Sequence, residues 1–87
     1  MKWVQIDQGQ PTDLSGIKDG STDWYCEEVH SSDITYLTKS ILMSDYEIGY
    51  VGGLPVIIDF YDDTYYSYEI PKGTIFQDVR RNLWEAV

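Results

Sequence analysis

The chain has 87 residues, a formal net charge of −9 at pH 7 and one cysteine, Cys26. This length fits a single domain spanning residues 1–87, and one cysteine excludes an intramolecular disulfide framework and any multi-thiolate metal site. No apolar run approaches the roughly 18 residues of a membrane span, and the amino terminus lacks a signal peptide's apolar centre. We therefore expect a cytoplasmic protein, in the host cytoplasm if a phage encodes it.

The negative charge is concentrated in the middle of the chain. Residues 19–69 contain eleven carboxylates and one base, Lys39, whereas the two flanks together contain four carboxylates and five bases. A negative field repels nucleic acids and anionic membranes, and it attracts basic surfaces. We expect no direct binding to nucleic acid or to a membrane, and we expect the partner to be the basic surface of a nucleic-acid-binding protein or nuclease complex.

The first half of the chain gives weak structural signals. Alternation in residues 2–6 predicts a strand, residues 7–22 read as a long loop with a helical turn near 11–17, and residues 24–29 fit a strand and a helix equally badly. Apolar side chains at Ile34, Leu37, Ile41 and Leu42 have helical spacing. This spacing favours a second helix at 32–43, although the β-branched residues there weaken the pattern.

The second half changes to a period of two. Residues 46–51, 56–61 and 65–70 predict three strands, and the short connections at 52–55 and 62–64 are typical of an antiparallel meander. Residues 74–86 begin with a Thr-x-x-Gln capping pattern and place apolar side chains on one helical face. The sequence therefore predicts an α+β fold: an antiparallel meander of three or four strands with a C-terminal amphipathic helix packed on one face.

The hairpin within 56–70 has two plausible registers, which expose different side chains. A three-residue loop at 62–64 places Phe60 opposite Tyr66 on the core face and leaves Ser67 and Glu69 on the exposed face. A two-residue turn instead places Ser67 and Glu69 on the core face. Because burial of a serine and a carboxylate is costly, we expect the three-residue loop. The exposed face then forms a candidate partner-binding patch: Asp59, Tyr61, Asp62, Asp63, Tyr65 and Glu69.

Exposed tyrosines among carboxylates suit the recognition of an arginine- or lysine-rich surface. The rings stack on the cations while the carboxylates pair with them. The alternative is a solvated sheet face, on which acids provide solubility and tyrosines provide strand propensity. A helix at 32–43 packed over this face would rule out binding there.

No motif in the chain points to catalysis or to a cofactor. The acids at 59–69 lack the spacing and central glycine of a calcium loop, and the glycines at 49–53 lack the lysine and helix of a phosphate loop. Cys26 and His30 lie four residues apart on an element of undetermined type, which does not make a catalytic dyad. We expect no enzyme, no cofactor and no metal site.

Residues 46–84 combine predicted strands, the pattern YxYxxP at 66–71 and an amphipathic segment with Phe76 near its start. This part of the chain, under half of its length, resembles the KTSC domain of bacterial and phage proteins, in which a meander ends in a proline and a short helix. The resemblance implies the same meander followed by a helix.

These features favour a small acidic inhibitor that blocks the basic nucleic-acid-binding surface of a partner enzyme by charge mimicry. Anti-defence proteins of phages and mobile elements, such as anti-CRISPR proteins, are of this kind. An immunity protein or antitoxin against a basic nuclease would use the same physics. A self-assembling structural or interaction module is a third interpretation, and the protein would be a monomer or a homodimer.

Overall fold

The structure is a computed structural model that describes residues 2–17, 20–37 and 46–87. Within these residues the chain forms two antiparallel sheets, with strand order β2-β6-β5-β4-β3 in one and β1-β8-β7 in the other. The strands are β1 (Trp3–Ile6), β2 (Cys26–Val29), β3 (Ile34–Tyr36), β4 (Glu47–Val51), β5 (Leu54–Tyr61), β6 (Thr64–Glu69), β7 (Ile75–Gln77) and β8 (Leu83–Ala86).

The predicted α+β class is wrong, because residues 74–86 form strands β7 and β8 instead of an amphipathic helix. The connection between them is built by Asp78, whose Oδ1 accepts hydrogen bonds from the backbone N–H groups of Arg80 and Asn82 at 2.8 and 2.9 Å. Arg81 has φ 67°, a left-handed conformation that an α-helix excludes. Thr74 does not cap a helix either, since its hydroxyl donates to the Pro71 carbonyl at 2.8 Å.

The helix expected at 32–43 is also wrong wherever the structure describes it. Ser31–Asp33 form one turn of 3-10 helix, in which the His30 Nδ1 accepts a hydrogen bond from the Ser32 backbone N–H at 3.2 Å. Ile34 then begins β3, in keeping with the strand preference of β-branched residues. The rest of the expected helix, 38–43, lies outside the described residues.

The register of the β5–β6 hairpin is the one that the sequence argument rejected. Phe60 pairs with Tyr65 across a two-residue turn, so Ser67 shares a face with Val56 and Ile58. Ser67 is only 3% exposed, whereas Glu69 lies at the end of β6 and stays exposed. The expected register is wrong because the sheet does not have a single buried face and the two-residue turn does not bury the Glu69 carboxylate. The strand end keeps the carboxylate in water, and the serine is small enough to be enclosed.

The five-stranded sheet must be strongly coiled, because its two edge strands are joined by only four residues. Val29 and Ile34 lie on the two opposite edge strands. In a flat sheet they would be about 19 Å apart across the strands, which is four strand spacings, and about 20 Å apart along the strand direction. Five residue steps of extended chain span at most about 18 Å. The connection therefore fits only a sheet whose edges curl toward each other.

A side-chain contact shows which face is concave. The Tyr36 hydroxyl on β3 interacts with the Tyr65 hydroxyl on β6, three strands away. On a flat sheet these side chains would project in parallel and could not meet. Their face is therefore the concave face, and it carries Val29, Ile34, Tyr36, Glu47, Gly49, Val56, Ile58, Phe60, Tyr65 and Ser67.

The opposite, convex face packs against the three-stranded sheet and forms the main core. The Trp3 indole N–H donates to the Gly49 carbonyl at 3.4 Å, and the Trp3 backbone N–H donates to the Tyr50 hydroxyl at 3.1 Å. These bonds connect the two sheets. The buried residues of the core are Trp3, Ile17, Ile48, Ile57, Ile70, Phe76 and Ala86.

The two registers make opposite predictions for the stability of two variants. Ile57 is fully buried in the main core, whereas Phe60 is 54% exposed near the hairpin turn. Ile57→Ala should lower the free energy of unfolding by about 2–5 kcal/mol. Phe60→Ala should lower it by no more than about 1.5 kcal/mol, since it removes mainly an aromatic pair. Urea unfolding measures both, and the reverse order would contradict the two-residue turn.

We predict that Asp78→Asn lowers the free energy of unfolding by about 2–4 kcal/mol, because the charged acceptor of three hydrogen bonds is lost. Burial raises the pKa of Asp78, but the hydrogen bonds from Trp84, Asn82 and Arg80 together lower it by more than burial raises it. The pKa of Asp78 therefore lies below 3.8. The stabilisation is therefore present above about pH 3.8 and disappears as the pH falls through the depressed pKa.

Thermal unfolding of the wild type and of Asp78→Asn between pH 2 and pH 7 tests this prediction. The difference in melting temperature between the wild type and Asp78→Asn should be constant near neutral pH and should disappear in acid. Asp7→Asn, at an exposed position, is the matched control and should leave the curve unchanged. A gap that persists unchanged in acid would show that the charge of Asp78 is not what stabilises the turn.

Candidate functional site at the hairpin tip

The tip of the β5–β6 hairpin carries two aromatic pairs on opposite faces. Phe60 and Tyr65 are direct cross-strand partners on the concave face, with ring centroids 4.5 Å apart and planes inclined by 43°. Tyr61 and Tyr66 stack on the convex face, with centroids 4.5 Å apart and planes inclined by 16°. We call these four residues, together with Asp59, Asp62 and Asp63, the hairpin tip. It contains no basic residue.

The turn itself consists of two aspartates in left-handed conformations. Asp62 has φ 52° and Asp63 has φ 58°, the values of a two-residue type I′ turn. Glycine or asparagine usually occupies such positions, and an aspartate tolerates them better than most residues do. Both carboxylates are exposed at the end of the hairpin. The turn therefore places two negative charges beside the aromatic pairs.

The structure divides the predicted patch instead of keeping it on one surface. Asp59 and Tyr61 lie on the convex face, Tyr65 lies on the concave face, and the turn lies between the two faces. Glu69 pairs with Val56, four residues and about 13 Å along the strand from Tyr65. The three-residue loop would also have placed Tyr61 opposite Tyr65, but Tyr61 pairs with Thr64 and its ring stacks on Tyr66.

On the convex face, tyrosine hydroxyl groups of the hairpin tip and of the neighbouring Tyr68 interact with one another and with Cys26. Burial, a hydrogen bond with Cys26, and the nearby Cys26, Asp59 and Tyr61 raise the pKa of Tyr68 to about 12. Partial desolvation and the neighbouring Tyr66 hydroxyl raise the pKa of Tyr61. These tyrosines therefore remain neutral at physiological pH and act as hydrogen-bonding groups.

The concave side forms a small cavity at the mouth of the coiled sheet. Its volume is about 330 Å³, and the described residues that line it are Glu47, Ile58, Asp59, Phe60 and Tyr65. At the same mouth, burial raises the pKa of Tyr36, and the nearby Glu47 carboxylate and Tyr65 hydroxyl raise it further. Ile58, only 4% exposed, provides an apolar floor beneath the rings and the carboxylate.

Sequence reasoning missed four residues of this region. It assigned Phe60 and Tyr66 to the core and did not consider Tyr36 or Glu47 as part of a site. The two aspartates of the turn contained a usable signal, since this residue type tolerates left-handed turn positions. The contribution of Tyr36 and Glu47 had no local signal, because it depends on the coiling of the sheet.

The remaining candidates do not converge on a catalytic arrangement. Cys26 is exposed and interacts with Tyr68, whereas the His30 ring contacts the Ser32 hydroxyl at 2.7 Å. Within residues 2–17, 20–37 and 46–87, no group of three or more histidine, cysteine or carboxylate side chains is arranged to hold a metal ion. The same residues include no helix that is long and apolar enough to cross a membrane.

Comparison with known proteins gives no relative for this chain: no protein-family model, curated protein or solved structure matches it. The resemblance of residues 46–84 to the KTSC domain is thus not supported by a family match. The helix that this resemblance implied is replaced by β7 and β8. Any function must therefore be argued from the site.

We predict that Glu47→Gln lowers the pKa of Tyr36, because it removes the carboxylate whose charge disfavours the tyrosinate. The pKa should remain above 10.0, since burial is the larger cause of its elevation. An NMR pH titration of ring-labelled tyrosine measures the change. The control Glu28→Gln removes an exposed carboxylate from the convex face and should leave Tyr36 unaffected. An unchanged pKa in Glu47→Gln would contradict the contact.

Proposed function

We propose that this protein is a small acidic inhibitor that binds the basic nucleic-acid-binding surface of a partner enzyme and acts in the cytoplasm. The hairpin tip is the part that enters the partner's groove. The carboxylates replace the phosphate charge of the nucleic acid, and the aromatic rings supply contact area at low conformational cost. Anti-defence proteins of phages and mobile elements form the functional class that fits this combination.

The observation that carries the proposal is the segregation of charge between the two sheets. Residues 47–71, which include β4, β5 and β6, contain six aromatics beside their carboxylates and no base. The bases in the described part of the chain flank the strands of the three-stranded sheet: Lys2, Lys72, Arg80 and Arg81. The molecule thus offers an acidic, aromatic end to a basic partner.

The exposed aromatic rings support a binding surface over one that serves only solubility. Phe60 is 54% exposed and Tyr61 is 51% exposed, although each is a large ring that folding could have buried. Aromatic residues are enriched at protein interfaces, and tyrosine is enriched among the few residues that dominate the binding energy there. Long-range attraction between opposite charges would also raise the association rate by about 10- to 1,000-fold at low salt.

An immunity protein against a basic nuclease would use the same surface, and the identity of the captured enzyme distinguishes the two. A self-assembling module would instead use the hairpin tip or the edge strands to bind a second copy. That alternative predicts a mass in solution that rises with concentration. It also predicts no dependence on a nucleic-acid competitor.

The test is affinity capture from a bacterial lysate on the immobilised protein, at low and high salt, with mass spectrometry of the bound proteins. We expect one nucleic-acid enzyme that is released as salt rises and outcompeted by DNA or RNA. Asp62→Asn with Asp63→Asn should slow association about tenfold at low salt. Asparagine tolerates left-handed turn positions, so this variant removes charge while the turn is preserved.

Asp7→Asn with Asp23→Asn is the matched control, because it changes the net charge equally at exposed positions outside the hairpin tip. The control should bind like the wild type. If both double variants capture the enzyme at the same rate, the hairpin tip is not the part that binds the partner. Recovery of the protein alone, with no enzyme, would contradict inhibition and support self-assembly.

A further inference from the structure

The cavity at the mouth of the coiled sheet combines three kinds of surface that together suit an organic cation. The Phe60 and Tyr65 rings form one wall, the Glu47 carboxylate lies on the neighbouring strand, and the Ile58 side chain lies beneath. A cation over an aromatic face is attracted by the ring quadrupole, and a carboxylate beside the ring adds a charge-assisted hydrogen bond. An apolar floor binds the methylene groups of a long side chain.

The shape and volume of the cavity limit the size of the ligand. A volume of about 330 Å³ is near the lower end of the range for small-molecule sites. It suits one side chain rather than a nucleotide or a larger cofactor. The absence of any base between residues 47 and 71 also disfavours an anion. A single basic side chain is small enough for the cavity and carries the positive charge that its surroundings favour.

Arginine fits the walls better than lysine does. A guanidinium group is planar, stacks on an aromatic ring and can bind a carboxylate through two parallel hydrogen bonds. Phe60 and Tyr65, inclined by 43°, present ring surface beside the Glu47 strand. The compact and strongly hydrated lysine ammonium would use the carboxylate but would gain less from the rings.

We propose that this cavity binds the guanidinium group of an arginine side chain that a partner protein presents. The inference rests on the proposed function and specifies it: one arginine of the basic surface is the anchor, and the cavity is its receptor. Tyr36, whose hydroxyl contacts both Glu47 and Tyr65, is a positioning residue. It holds the carboxylate and the second ring in the orientation that the guanidinium needs.

The first experiment uses the full purified chain and the capped tripeptide acetyl-Gly-Arg-Gly-amide as the probe. The matched probes contain lysine, which keeps the charge, or citrulline, which keeps the shape without the charge. We expect saturable NMR shifts at Phe60, Tyr65 and Glu47 with the arginine peptide, affinity several-fold weaker with lysine, and no saturation with citrulline. No saturable shift with arginine, or equal binding of citrulline, would overturn the proposal.

The second experiment uses variants of the cavity. Glu47→Gln and Phe60→Leu should each weaken arginine-peptide binding about tenfold, which corresponds to the loss of one charge-assisted bond or one ring contact. Glu47 and Phe60 are exposed, so both variants should fold, and their melting temperatures verify this. Glu28→Gln, which removes an exposed carboxylate from the convex face, should bind like the wild type. Unchanged binding in Glu47→Gln would overturn the proposal.

The two proposals can fail separately. If the wild type captures an enzyme in a salt-dependent manner but Glu47→Gln captures it equally well, the arginine cavity is wrong and the inhibitor function stands. If the arginine peptide binds in the cavity but no enzyme is captured, the inhibitor function is wrong and the cavity stands as a site for a guanidinium group.

Discussion

The structure depends on the short connection between β2 and β3, because four residues cannot cross a flat sheet of five strands. The single turn of 3-10 helix at Ser31–Asp33 shortens this connection further. The edges of the sheet must therefore approach each other, and the sheet encloses an interior of its own. Its convex face still packs on the three-stranded sheet. The central strand β5 is buried on both faces, which explains why Val56, Ile57 and Ile58 are all less than 5% exposed.

Coiling also determines where the candidate site lies. On the concave face it brings Tyr36 of β3 to Tyr65 of β6, although two strands separate them. The β5–β6 hairpin extends beyond the part of the sheet that the three-stranded sheet covers, and its aromatic rings remain exposed. The cavity at the mouth is thus a consequence of the same constraint. A flat sheet with these residues would have a tyrosine-rich surface but no cavity.

The wrong predictions for residues 74–86 and for the hairpin register have one cause. The local periodicity of a sequence does not reveal which distant strands pair or pack with each other. The strand β8 pairs with β1, some eighty residues away, and this pairing overrides the helical spacing of residues 74–86. Burial there alternates instead, with Thr74, Phe76 and Asp78 all buried. The register of the hairpin was misjudged for a related reason. An open sheet buries one face, which would favour the three-residue loop, whereas this sheet buries residues on both faces.

The sequence by itself determined the three strands of the meander, the strand at residues 3–6, the acidic middle of the chain and the aromatic residues near 60–66. These features follow from a period of two, from turn residues and from counted charges, all of which are local. The tertiary structure alone decided the all-β class, the faces on which the tyrosines lie and the contact of Tyr36 with Glu47 and Tyr65. These depend on pairing across the whole chain and on the coiling of the sheet, and a local pattern encodes neither.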